Sequence, residues 1–133
     1  MTTEQTTQFM EDYRQLFSGA IAPTPEALDE YISDVDMELK QHIQVFQTGI
    51  PGYTLEQNEL IVTGNKAVLS FNLKGIHKGE LFGAPPTGNV VNVPGIIIYE
   101  IEDFKIVKHT MVADTMLLMT QIGALAVPEE VEA

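Results

Sequence analysis

Ala67-Val68-Leu69-Ser70-Phe71-Asn72-Leu73-Lys74-Gly75-Ile76-His77 is the stretch from which the fold can be read. Ala67, Leu69, Phe71, Leu73, Gly75 and His77 fall on one face and Ser70, Asn72 and Lys74 on the other, the two-residue period of a half-buried strand. Gly64-Asn65 just upstream is a tight turn, and the β-prone run Leu55 to Val62 before it completes a hairpin. Downstream, Val90 to Ile101 and Phe104 to Ala113 read as two longer strands joined at Glu102-Asp103. Pro94-Gly95 inside the first of these predicts a bulge or sharp bend, because proline cannot donate to the ladder. Ile96-Ile97-Ile98 is apolar on both faces, so both are expected to be covered, by helices on one side and by a pocket or a subunit partner on the other. From Tyr53 to Gly123 the chain is therefore expected to form a curved antiparallel sheet, closed by a helix, that walls a pocket for a small and largely apolar molecule.

The flanking segments are helical. Phe9, Tyr13, Leu16 and Phe17 repeat at i, i+4, i+7 and i+8, giving an amphipathic helix that ends near Gly19. Thr24-Pro25-Glu26 starts a second helix, with a hydroxyl to accept an orphan N–H and a proline that has none to lose. From Asp36 the spacing of Leu39, Ile43 and Phe46 predicts a third, stopped by Gly49, Pro51 and Gly52. Asp114-Thr115 caps a short last helix that Gly123 ends. The expected class is α+β, with N-terminal helices packed on a four-stranded sheet. One domain is expected over 1–127, followed by an acidic, disordered tail over 128–133.

With 133 residues the chain has the usual size of one domain, and seven Lys and Arg against nineteen Asp and Glu leave a net charge of −12. The cations are scattered singly, so neither a nucleic acid nor an anionic lipid surface is an expected partner. Without cysteine, thiol chemistry is excluded and a reducing, cytoplasmic setting is expected. The remaining partners are a neutral or weakly cationic small molecule and a second copy of the chain.

Three segments carry a family resemblance. Gly75-Ile76-His77-Lys78-Gly79-Glu80-Leu81-Phe82-Gly83-Ala84-Pro85-Pro86-Thr87-Gly88 resembles the Gly-x-His-x-Gly-x-x-x-Gly-x-Pro-Pro-Thr-Gly segment of SnoaL-like polyketide cyclases, a group within the nuclear transport factor two-like superfamily. Ile101 to His109 is similar to that group's strand-turn-strand, and Gln121-Ile122-Gly123 to its closing Gln-Leu-Gly. The resemblance implies a cone-shaped fold with an enclosed pocket, commonly dimeric. It also implies an aldol-type ring closure that uses an Asp acid/base and a nearby His, with no metal or organic cofactor. Met111 stands where that Asp would be and Ile97 where the His would be, and Phe104 replaces a glycine that follows the Asp of the turn. A short strand that relatives carry between the second and third helices has only Val35 to Gln41 to form it, so part of one pocket wall is expected to be missing.

Three residues could replace the missing pair: Asp114 as a general base or a helix cap, His77 as a ligand contact or a pin for the loop after it, and His109 on the pocket or at a dimer interface. Phe71, Leu73, His77, Ile97, Tyr99 and Met111 are the expected pocket lining. Asp34-Val35-Asp36-Met37-Glu38 starts like a calcium loop but has Leu39 and Val45 where glycine and glutamate are needed, so it is rejected. The three histidines have no metal spacing. The expected function is cofactor-free binding of a small apolar or aromatic metabolite. The alternative is a cyclase or isomerase using His77, His109 or Asp114, which requires at least two of them at one ligand position.

Overall fold

A computed structural model describes residues 1–19 and 22–124. The end of the expected domain and the acidic tail lie outside the described residues. Helix α1, Thr3–Arg14, begins with a reciprocal cap: Gln5 N–H donates to the Thr2 hydroxyl and the Gln5 side chain accepts from Thr2 N–H, both at 3.0 Å. It buries Phe9, Met10 and Tyr13, and a 3-10 turn at Gln15–Phe17 adds Phe17. Helix α2, Pro25–Tyr31, starts where expected, with Ala27 N–H donating to the Thr24 hydroxyl at 3.1 Å. Helix α3, Met37–Gly49, follows a 3-10 turn at Asp34–Asp36. In place of the missing strand, Ile32 alone makes a parallel bridge to Ile106. No helix among the described residues is long and apolar enough to cross a membrane.

Strands β1 (Thr54–Thr63), β2 (Lys66–Ile76), β3 (Val90–Glu102) and β4 (Lys105–Ala113) form one antiparallel sheet in chain order. The alternation in β2 holds: Ala67, Leu69, Phe71 and Leu73 are buried, and the helices cover that face. Nothing among the described residues covers the opposite face. Register sets Val68 beside Ile98 and Thr110, and Ser70 beside Ile96 and Val112, with Ile61 next to Val68, so exposed apolar side chains form a continuous patch there.

Two local expectations are corrected. No bulge occurs at Pro94-Gly95, where the pairing runs unbroken through Asn72 with Pro94 and Phe71 with Gly95. The Pro94 carbonyl accepts from Asp114 N–H, so its nitrogen faces the same side, just past the end of β4, where no ladder donor is needed. The register shifts lie instead at Gln57/Glu59 and Glu100/Ile101. The turn between β3 and β4 is Asp103-Phe104, one residue later than read, with φ of 51° and 59°. Both fit the mirror-image hairpin turn, although its second position favours glycine.

After β2 the chain enters a loop sewn to the end of α3. Lys78 and Gly79 both donate backbone N–H to the Gly49 carbonyl, at 3.0 and 3.1 Å. His77 fixes the far side: its N–H donates to Asn89 O at 2.9 Å and its carbonyl accepts from Gly88 N–H at 2.8 Å. Helix α4, Thr115–Gln121, closes the fold with Asp114 as its cap.

Candidate functional site

The buried face of the sheet and the helices do not meet completely. Between them lies a cavity of about 230 Å³. Strand alternation brings Leu55, Phe71, Leu73, Val93, Ile97 and Tyr99 to its floor, since alternate side chains of a strand share a face. Tyr13 and Phe17 from the first helical segment and Leu39, His42, Ile43 and Phe46 from α3 form the roof. Val45, Phe82, Met111, Ala113, Asp114, Thr115 and Leu118 complete the wall on the side of α4 and the loop.

Aromatic rings pack edge to face or stacked along one side. Tyr99 meets Tyr13 at 5.8 Å between centroids, Tyr13 meets Phe17 at 5.3 Å, and Phe17 meets Tyr53 at 5.7 Å. Burial pushes the phenols of Tyr13, Tyr53 and Tyr99 up, because a phenolate would have no water around it. Tyr99 also adds to the rise at Tyr13 and Tyr53. The Tyr99 hydroxyl is buried without a hydrogen-bond partner among the described residues.

At the start of α3 lies a carboxylate–imidazole contact that the sequence did not suggest. Asp36 caps α3 by accepting from Leu39 N–H with one carboxylate oxygen at 3.3 Å, while the other lies 2.7 Å from His109 Nδ1. Both side chains are almost wholly buried, and the outer His109 nitrogen is 3.8 Å from Glu38. The His109 ring meets His42 edge on at 6.0 Å, and His42 Nδ1 is buried without a partner.

Phe71, Leu73, Ile97, Tyr99 and Met111 line the cavity as expected from the sequence. His77 does not belong to its wall. The ring accepts from Thr87 N–H at 3.3 Å and lies 2.9 Å from the Thr87 hydroxyl, so it pins the loop. Accepting at Nδ1 leaves the proton on Nε2, which is buried without a partner. His109 is turned to Asp36 and is likewise absent from the wall. Asp114 reaches the wall, but its carboxylate accepts from Leu117 N–H at 3.0 Å as the cap of α4. The three candidates are therefore not brought to one ligand position. His42 could have been read from the sequence, since it shares the α3 stripe of Leu39, Ile43 and Phe46. Asp36 could be read as a cap but not as the partner of a histidine 73 positions away.

Comparison with known proteins agrees with this architecture. A family model described as SnoaL-like polyketide cyclase matches residues 8–122. A SnoaL-like polyketide cyclase candidate from Jannaschia sp. CCS1 superposes with a TM-score of 0.79 at 19% identity, over 93% of this chain and 95% of that one. AclR from Streptomyces galilaeus superposes at 0.80 with 17% identity over 98% and 89% of the two chains. TsrD from Streptomyces laurentii gives 0.74 at 26% identity over 94% and 99%. A search of curated proteins found no match. The matched region holds all four strands, the α3 roof and the closing helix, and the chain belongs to the SnoaL-like polyketide cyclase family.

Proposed function

We propose that the protein binds a small, neutral, largely apolar or aromatic metabolite in the cavity beneath α3, without metal or organic cofactor. The observation that carries this reading is the wall itself, where Ile97 and Met111, which the family resemblance sets at the positions of the proton-transferring pair, present hydrocarbon to the space. Aromatic rings add flat contact area at low conformational cost. The acid/base alternative, a cyclase or isomerase, has less support. It would now run through His42 and Asp114, an imidazole and a carboxylate on the wall, and Asp114 is committed to a helix cap.

The test is direct binding of naphthalene, a neutral fluorescent probe. The wild-type protein is expected to bind it, and Ala113→Phe, which places a ring in the cavity, is expected to weaken binding at least about tenfold while leaving the folded baseline unchanged. Equal binding by both proteins would place the probe elsewhere and remove the basis for this reading.

The same proposal includes a cytoplasmic homodimer joined through the exposed sheet face around Ile96, Ile98 and Val112. Apolar patches of that kind on a sheet mark association surfaces. Light scattering is expected to give twice the chain mass, and Ile98→Lys to return it to the monomer value. A wild-type monomer at high concentration would rule the dimer out.

A further inference from the structure

Phe82 sits in a conformation that bulky side chains avoid. Leu81 and Ala84 exchange backbone hydrogen bonds at 3.1 and 2.9 Å, closing a two-residue turn whose central residues, Phe82 and Gly83, have φ of 51° and 82°. That mirror-image turn favours Asn-Gly. Here the Asn place holds a phenylalanine that is also half exposed, at 50%. Strain of this kind persists where the surroundings enforce it, and it clusters at ligand clamps.

The position of the ring gives the strain a purpose. Phe82 meets Phe46 edge to face at 5.8 Å and forms part of the cavity wall. It also borders a second, open pocket of about 290 Å³ between the turn and the end of α4, together with Pro85, Thr87 and Ile122. One side chain is thus common to two chambers. The first alone, at about 230 Å³, is smaller than the usual ~300–1,000 Å³ of a small-molecule site, whereas the two joined fall within it. The outer side of the turn faces open space, since a side chain built on Gly83 would meet nothing within 4 Å.

We propose that Phe82 is an aromatic gate between the two chambers, and that the ligand selected is an elongated apolar molecule that displaces the ring and occupies both. The inference rests on the cavity being a binding site. A short ligand fills the inner chamber with the ring closed on it. A long one must first open the gate, so its apparent affinity is reduced by the fraction of molecules with the ring displaced.

Phe82→Asn separates these cases, because Asn suits the turn and should keep it formed. Two neutral fluorescent probes, naphthalene and 1,4-diphenylbutadiene, are titrated into wild type and variant. Naphthalene is expected to bind about threefold more weakly to the variant, having lost an aromatic contact, and diphenylbutadiene about tenfold more tightly, having no gate to open. The midpoint of thermal unfolding is expected to stay within about 3 °C of wild type, as relief of the strained turn offsets the lost packing. Parallel changes in both affinities, or no change in either, would overturn the gate while leaving the cavity a binding site. A wild-type protein that binds neither probe would overturn both. A fall of more than about 8 °C would mean that the ring is simply core, and would also overturn the gate.

Discussion

Replacing Gly79 by alanine is expected to lower the unfolding free energy by about 4 kcal/mol or more, the largest loss from adding one methyl group to this fold. A Cβ at that position would run into the carbonyl of Thr48, backbone against backbone, where no side chain can swing aside. The loop would have to retreat, breaking the hydrogen bonds that Lys78 and Gly79 donate to Gly49 O. Gly49 is buried, and its carbonyl left unpaired costs roughly 1–3 kcal/mol, in addition to the clash. Because the same loop carries Phe82, naphthalene binding should weaken with it. Gly88→Ala is the control: with φ of 76° and no atom within 4 Å of a built side chain, it bears only backbone strain, roughly 1–2 kcal/mol. Urea unfolding of both variants measures the difference. Equal losses would mean that the seam between loop and α3 contributes little.

Alkaline pH should destabilise the protein steeply. Tyr13, Tyr53 and Tyr99 all have pKa values raised by burial above the ordinary 10.0. Above pH ~10 the unfolded chain releases those protons while the folded chain keeps them, so the folded state binds more protons and stability falls as pH rises. Below pH ~10 the contribution is fully present. It is lost at about 1.4 kcal/mol per pH unit for each phenol, or about 4 kcal/mol per unit for three acting together. Lys40 pushes the same way: its hydrogen bonds to Asp29 and Asp34 raise its pKa, and that stabilisation is also lost as pH rises. Urea midpoints at pH 8, 10 and 11 test the slope, and tyrosinate absorbance tests the cause. Three of the four tyrosines should ionise only as the fold is lost. If they titrate near pH 10 with the circular dichroism intact, the phenols are not sealed and the argument fails.

Much of the fold could be read because its signals are local. The β2 alternation placed Leu69, Phe71 and Leu73 on the cavity face, and Thr24-Pro25 and Asp114 marked helix starts that the structure keeps. The misreadings have physical reasons. Pro94 looks like a break until its nitrogen is seen to face the open end of β4. The β3–β4 turn puts Phe104 at a φ of 59°, against its preference, so composition pointed one residue too early. His77 shares its face with Leu69, but it lies one residue past β2, where the ring meets Thr87 before it meets the cavity. The His109–Asp36 pair depends on how α3 crosses the last strand, and no spacing within either segment encodes that.

That pair also bears on the order in which the molecule can assemble. Asp36 can cap α3 as soon as the helix forms, but its second oxygen is satisfied only by a residue on the final strand. Docking α3 earlier would bury one carboxylate oxygen of Asp36 without its His109 partner, at a cost of roughly 1–3 kcal/mol or more for a charged group. During synthesis, then, the helical third of the chain gains by staying hydrated until residue 109 has left the ribosome. The carboxylate that completes the core also discourages its premature collapse.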